Sequence, residues 1–212
     1  MMKELSLIPA LLVASAMELA MPSESAAQQP KMDIKLFAGG STTTYVSMLE
    51  TGRERDTFAG WQAGFGARVS KRKWFLEVLF SFNRWAFSQS TEEAGFEGTL
   101  KGRVNSFELP FNGGFIPYQN AYFKLFLYAG YVNHFNTKIL AEVSTPDETV
   151  SGKFRPKEID LAIYQALARF GVNFDLAMFN IDFNYSISMN SATSTSYRTG
   201  YHQLQLNLAY LF

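Results

Sequence analysis

Cysteine is absent from this 212-residue chain, and there are only two histidines, His134 and His202. The first absence excludes disulfides, thiolate nucleophiles, thiolate zinc sites and a lipid attached through an N-terminal cysteine. Two histidines offer little from which to build a metal centre. Charge of one sign is missing as well: 19 Lys and Arg stand against 19 Asp and Glu. With no long basic run, nucleic acid is not an expected partner. Long apolar stretches are scarce, and the mean hydropathy is −0.06. The exception is LSLIPALLVASAM at residues 5–17, which is too short to cross a bilayer comfortably. It follows Lys3 and precedes the small residues Ser25 and Ala27, so residues 1–27 read as a secretory signal cleaved before Gln28. A short segment, 28–32, then leads into a single domain at 33–212.

What the chain has in quantity is aromatic side chains, 16% of residues with 20 Phe and 10 Tyr, and these favour strands. From Lys31 onward the pattern has a period of two. The spacing predicts strands over 33–46, 58–69, 74–87, 99–115, 122–138, 159–174, 180–190 and 202–212. In the second, Trp61, Ala63, Phe65, Ala67 and Val69 share one face and Gln62, Gly64, Gly66 and Arg68 the other. In the seventh, Ile181, Phe183, Tyr185, Ile187 and Met189 alternate with Asp182, Asn184, Ser186, Ser188 and Asn190. The fifth is apolar on both faces. The sixth drifts, which suggests a bulge near 165–169.

Connections alternate between long polar stretches (47–57, 88–98, 139–158, 191–199) and short turns (70–73, 116–121, 175–179). In an up-and-down barrel this places all turns at one rim and all loops at the other, as in outer-membrane barrels. The expected fold is all-β: an eight-stranded antiparallel up-and-down transmembrane β-barrel, with lipid-facing apolar faces and a polar interior. Aromatics at strand ends suggest two interfacial girdles: Trp74, Tyr118, Tyr122, Phe179 and Phe212 at the turn side, and Tyr45, Trp85, Phe87, Tyr197 and Tyr201 at the loop side.

An eight-stranded bore is filled by side chains, and charges there must pair. Arg68, Glu77, Glu108, Arg169 and Asp182 are the expected interior network, with Lys35 a further candidate. A turn centred on Lys71 and Arg72 would set Arg68 opposite Phe75, with Glu77 on the diagonal. The charges read as a structural plug, with a proton or ion path as the alternative. No catalytic, cofactor or metal residues are assigned. A Ser-His-acid site for lipid chemistry would need His202 and Ser186 on one face, and parity separates them. Glu92, Glu93 and 146–148 read as solvated loops, and the basic 70–73 as a solvated turn. In the final strand Leu204, Leu206, Leu208, Tyr210 and Phe212 alternate up to the last residue. They read as the assembly signal that the barrel-assembly machinery recognises.

FELPF at 107–111, LYAGYVNHF at 127–135, Asp160, IDFNYSIS at 181–188 and LQLNLAYLF at 204–212 together resemble the PorT-like outer-membrane β-barrel family of Gram-negative, Bacteroidetes-type bacteria. Ala162 stands where that family usually has glycine. The resemblance implies the barrel and the outer membrane, and no activity. The expected role is non-enzymatic: a structural or accessory subunit embedded in outer-membrane lipid and meeting another outer-membrane protein complex. The alternatives are a small porin or transport channel and, third, an outer-membrane lipid-modifying enzyme. Within FELPF, Pro110 removes a ladder donor and suggests an irregularity in its strand.

Overall fold

Among the described residues, alternation of large apolar with polar or small residues produces nine strands and one short 3-10 turn. A computed structural model describes residues 30–49, 52–93, 96–144, 149–159, 161–193 and 199–212; the proposed signal at 1–27 and Asp160 lie outside them. The strands are β1 (Lys31–Leu49), β2 (Gly52–Lys71), β3 (Trp74–Glu93), β4 (Phe96–Gln119), β5 (Phe123–Ser144), β6 (Thr149–Phe154), β7 (Tyr164–Leu176), β8 (Phe179–Ser188) and β9 (Thr199–Leu211). All pairings are antiparallel, and β1–β9 and β4–β5 contacts close the wall. One edge of β5 is shared: Phe123–Phe135 pairs with β7 and Ile139–Ser144 with β6. The barrel therefore has eight staves, the sixth made of β6 and β7 in succession.

The break in that stave explains the drifting periodicity of 159–174. A 3-10 turn at Pro156–Ile159 interrupts it, beginning on a residue that has no N–H to give a ladder. From Phe135↔Tyr164 to Phe123↔Leu176 the register of β7 is unbroken, so no bulge lies at 165–169. The bulge is on the neighbouring strand. Asn105 pairs with Lys138 but Ser106 pairs with Asn136, leaving Thr137 as the extra residue, its hydroxyl donating to the Asn105 carbonyl at 3.0 Å. Asn136 then bridges the break, its backbone N–H reaching the Ile163 carbonyl at 2.8 Å and its side-chain amide the Ala162 carbonyl at 2.8 Å. Pro110 has a milder effect. The β3–β4 ladder lapses between Val78↔Phe111 and Ser81↔Glu108, and the register resumes unshifted.

Three of the expected loops are largely strand, among them 139–158, where β5 continues to Ser144 and pairs with β6. β1 runs to Leu49 and pairs with β2 from Gly52, and β3 pairs with β4 as far as Glu93↔Phe96. These polar hairpins keep their ladders beyond the apolar belt. At the other rim the turns are tight. Lys71 pairs with Trp74 and Leu176 with Phe179, so the connections are the two-residue turns Arg72-Lys73 and Ala177-Met178. Arg72 (φ 56°) and Ala177 (φ 54°) occupy the left-handed region, which matches hairpin twist at a cost for any residue with a Cβ. The third turn is held by the Asn120 side chain, whose Oδ1 accepts from the N–H groups of Tyr122 (2.9 Å) and Phe123 (2.7 Å).

The sheet is inside-out. Its outer face exposes Ile34, Leu36, Phe65, Phe80, Phe170, Phe183, Leu206 and Leu208, while Lys35, Arg68, Glu77, Glu108, Arg169 and Asn207 are buried in the bore.

Candidate functional site: the polar bore

Inward positions are odd on β1, β3, β7 and β9 and even on β2, β4 and β8. Every stave therefore sends polar side chains into one narrow column, and ion pairs and hydrogen bonds recur along it from rim to rim.

At the turn-side end Arg68 makes a bidentate pair with Asp175, at 3.2 Å and 2.5 Å, and reaches Asp33 at 3.4 Å. Its guanidinium carbon lies 4.2 Å from the Phe126 ring centroid, a cation–π contact in a desolvated place. Asn180 donates to Asp175 at 2.7 Å, and Lys31 meets Asp33 at the rim at 2.8 Å. One level up, Glu77 receives Lys35 at 3.4 Å and the Asn112 amide at 3.1 Å.

Among the described residues, no cation lies within ion-pair range of Asp182. Its carboxylate accepts from the Tyr128 hydroxyl at 2.7 Å, Asn184 at 3.0 Å and Asn207 at 3.4 Å. Tyr128 reaches it by lying over Gly171, where a Cβ would sit 2.3 Å from the ring; only glycine leaves that space.

In the loop-side half Glu108 is the hub. Arg169 Nη2 donates to it at 2.7 Å, Gln205 Nε2 at 3.4 Å, and His134 Nδ1 lies 3.1 Å away. Arg169 Nε turns to Ser186 Oγ at 2.9 Å, and His134 Nε2 to Asn136 Oδ1 at 3.1 Å. Above this hub an aromatic cap closes the bore. Tyr45 packs 5.4 Å from Trp85 and 5.3 Å from Tyr201, Phe58 stacks on Trp85 at 5.3 Å, and Tyr201 lies 5.3 Å from His134.

The five residues expected inside, Arg68, Glu77, Glu108, Arg169 and Asp182, are all buried, at 3% exposure or less. They do not form one cluster. The β2–β3 register puts Arg68 directly opposite Glu77 rather than Phe75, because the turn is Arg72-Lys73 and not one residue earlier. Even so, Arg68 bonds across the bore to β7 and β1. Asp175 and His134 were not expected as partners. Asp175 falls in the stretch 175–179 that reads as a turn, yet it continues the inward β7 series Gln165, Arg169, Asn173. His134 is fully buried directly opposite Glu108, on a strand whose two apolar faces hide its parity.

The loop-side girdle is also corrected. Tyr45, Trp85 and Tyr201 point inward with the odd-numbered polar residues of their strands and form the cap; Tyr197 and the Phe87 side chain lie outside the described residues. At the turn side Trp74, Tyr118, Tyr122, Phe179 and Phe212 are all exposed on the outer wall or rim.

His202 and Ser186 lie on opposite sides of the wall. His202 Nδ1 meets the Tyr185 hydroxyl at 2.5 Å on the outer face, while Ser186 is buried against Arg169. In β9, Leu204, Leu206, Leu208, Tyr210 and Phe212 all face outward. Phe212 exchanges two backbone hydrogen bonds with Ile34, at 2.9 Å and 3.3 Å.

A closed wall, apolar outside and polar inside, is the build of an outer-membrane β-barrel: closure pairs every backbone group that lipid would leave unsatisfied. No protein-family model matches the chain, and no curated protein matches it. Among solved structures it is similar to Ail, the attachment invasion locus protein of Yersinia pestis (17% identity over 86% of this chain and 99% of that one, TM-score 0.47). It is also similar to Neisserial surface protein A (10%, 84% and 97%, 0.42) and to the N-terminal β-barrel domain of Pseudomonas aeruginosa OprF (10%, 87% and 100%, 0.37).

Proposed function

We propose that this protein is a non-enzymatic outer-membrane barrel acting as a structural or accessory subunit, its outer wall or loop-side hairpins meeting another outer-membrane component. The observation that carries this reading is the occupied bore. Ion-paired and hydrogen-bonded side chains fill it from Asp33 at one end to the Tyr45–Trp85–Tyr201 cap at the other. Such a column stiffens the wall and opposes passage. The separation of His202 from Ser186 by the wall supports the non-enzymatic part. The PorT-like resemblance fits the same role, since the Glu108 of its FELPF stretch is the hub of the loop-side network. Barrel-assembly machinery is the proposed partner during insertion, through the outward row of β9.

Planar-bilayer recording of the purified barrel tests the carrying observation. The expected trace has no steady current. Stable ohmic steps from the monomer would overturn the filled bore and favour a channel. Purification in mild detergent, followed by sizing, then asks whether the chain travels within a larger complex, as an accessory subunit should.

A further inference from the structure

The ladder register lines up cations on the outside of the barrel along β3–β6. Trp61 pairs with Arg84, Arg84 with Asn105 and Asn105 with Lys138. One step higher, Ala86, Arg103, Leu140 and Lys153 form the next row, and above it Lys101 pairs with Glu142. Trp85, Val104 and Ile139 between these positions are buried in the bore, so the rows face outward. Lys101, Arg103, Lys138 and Lys153 are exposed and Arg84 is half-buried. Among the described residues none of the five makes an ion pair, and Glu142 is the single carboxylate in these rows. Strand spacing and rise make the field roughly 14 Å wide and 13 Å tall. A cleft of about 770 Å³ opens within it, lined among others by Ala86, Lys101, Arg103, Leu140, Glu142 and Lys153.

Position decides what could occupy it. The row immediately below is Phe82, Phe107, Phe135 and Tyr164, the aromatic upper edge of the apolar belt. The ladder row Ile187, His202, Thr44 and Thr57 on β8, β9, β1 and β2 holds neither Lys nor Arg. A ligand suited to the β3–β6 wall carries several phosphates at its head and acyl chains directly beneath.

We propose that the outer face of β3–β6 binds the phosphorylated glycolipid of the surrounding leaflet. Phosphates pair with Lys101, Arg103, Lys138 and Lys153, the sugar lies in the cleft, and acyl chains run down over Phe107 and Phe135. This rests on the outer-membrane reading above and names the lipid it meets. The charges face lipid headgroups, where each cation contributes and salt weakens the attraction.

The full chain in phosphatidylcholine nanodiscs is titrated with lipid A bearing both phosphates, with dephosphorylated lipid A, and with phosphatidylglycerol. The expected result is lipid A binding at least about tenfold tighter than either of the others. That preference should be lost in the combined Lys101→Gln, Arg103→Gln, Lys138→Gln, Lys153→Gln variant, which keeps heat-modifiable migration because none of these side chains enters the bore. A single variant, Arg103→Gln, should lose part of the preference and guards against a folding defect in the fourfold change. Equal affinity for the two forms of lipid A, equal affinity for phosphatidylglycerol, or an unaltered preference in the folded fourfold variant overturns the proposal. Fractionation of cells making the wild-type chain tests the outer-membrane reading separately, since it does not depend on which lipid is bound.

Discussion

Glu108 shows how a bore this narrow tolerates charge. Its carboxylate is fully buried and is held by Arg169, His134 and Gln205 from three different strands. Removing one partner strands the other, so Arg169→Met should destabilise the barrel by about 3–5 kcal/mol. Adding Glu108→Gln should recover a large part of that loss, because the charge to be paired is gone; urea unfolding in lipid vesicles measures both. A double variant no better than Arg169→Met would show that packing, not charge pairing, sets the cost. At the turn rim, Ala177 with φ 54° invites the opposite change. Ala177→Gly should stabilise by roughly 0.5–1 kcal/mol, read in the same assay. At this scale the sequence was partly legible. Parity alone sent Arg68, Glu77, Glu108, Arg169 and Asp182 inward. It could not say which would meet, because partners across a bore depend on closure and stagger, which are absent from any one strand. Tyr45, Trp85 and Tyr201 looked like interfacial aromatics for a related reason. Strand-end position suggested lipid, whereas their odd-numbered parity, shared with Thr43 and Gln203, already pointed inward.

Among the elements, β8 and β9 were the easiest to read, since each alternates without interruption (Asn180 to Ser186 inward, Leu204 to Tyr210 outward). β5 and the stave formed by β6 and β7 were the hardest. Their irregularity is cooperative: the Thr137 bulge on one strand, the Pro156 turn on the next, and Asn136 stitching both. Periodicity reports only one strand at a time, so a slip shared by two neighbours registers as drift in either. The polar hairpins at the loop rim escaped for another reason. Hydropathy marks where lipid ends, not where backbone pairing ends. β9 also carries the closing seam. Phe212 supplies two backbone bonds to Ile34 and the last outward aromatic beside Tyr210, 4.7 Å between ring centroids. Deleting Phe212 removes both, and assembly in cells should fall while synthesis does not. Heat-modifiable migration of the membrane fraction is the measure, and normal insertion of the shortened chain would sink the idea that β9 carries the assembly signal.

For the whole molecule, the deciding property is which side of the wall is apolar, and one substitution can interrogate it. Leu206 is 55% exposed and pairs with Phe183 on one side and Gly40 on the other, at the mid-height of the belt. Placed on a soluble barrel, an exposed leucine exchanged for arginine would alter stability by no more than about 0.5 kcal/mol. In a bilayer the guanidinium must enter hydrocarbon, and Leu206→Arg should cost about 2–4 kcal/mol. The same exchange at Leu140, placed by its register in the cationic rows above the belt, should cost about 0–1 kcal/mol. Unfolding both variants from phosphatidylcholine vesicles therefore maps the membrane onto the wall. A steep penalty at 206 and a slight one at 140 would set the upper edge of the hydrocarbon between them, near the aromatic row of Phe107 and Phe135. Equal, small effects at both positions would mean that the exposed leucines and phenylalanines of this barrel face water.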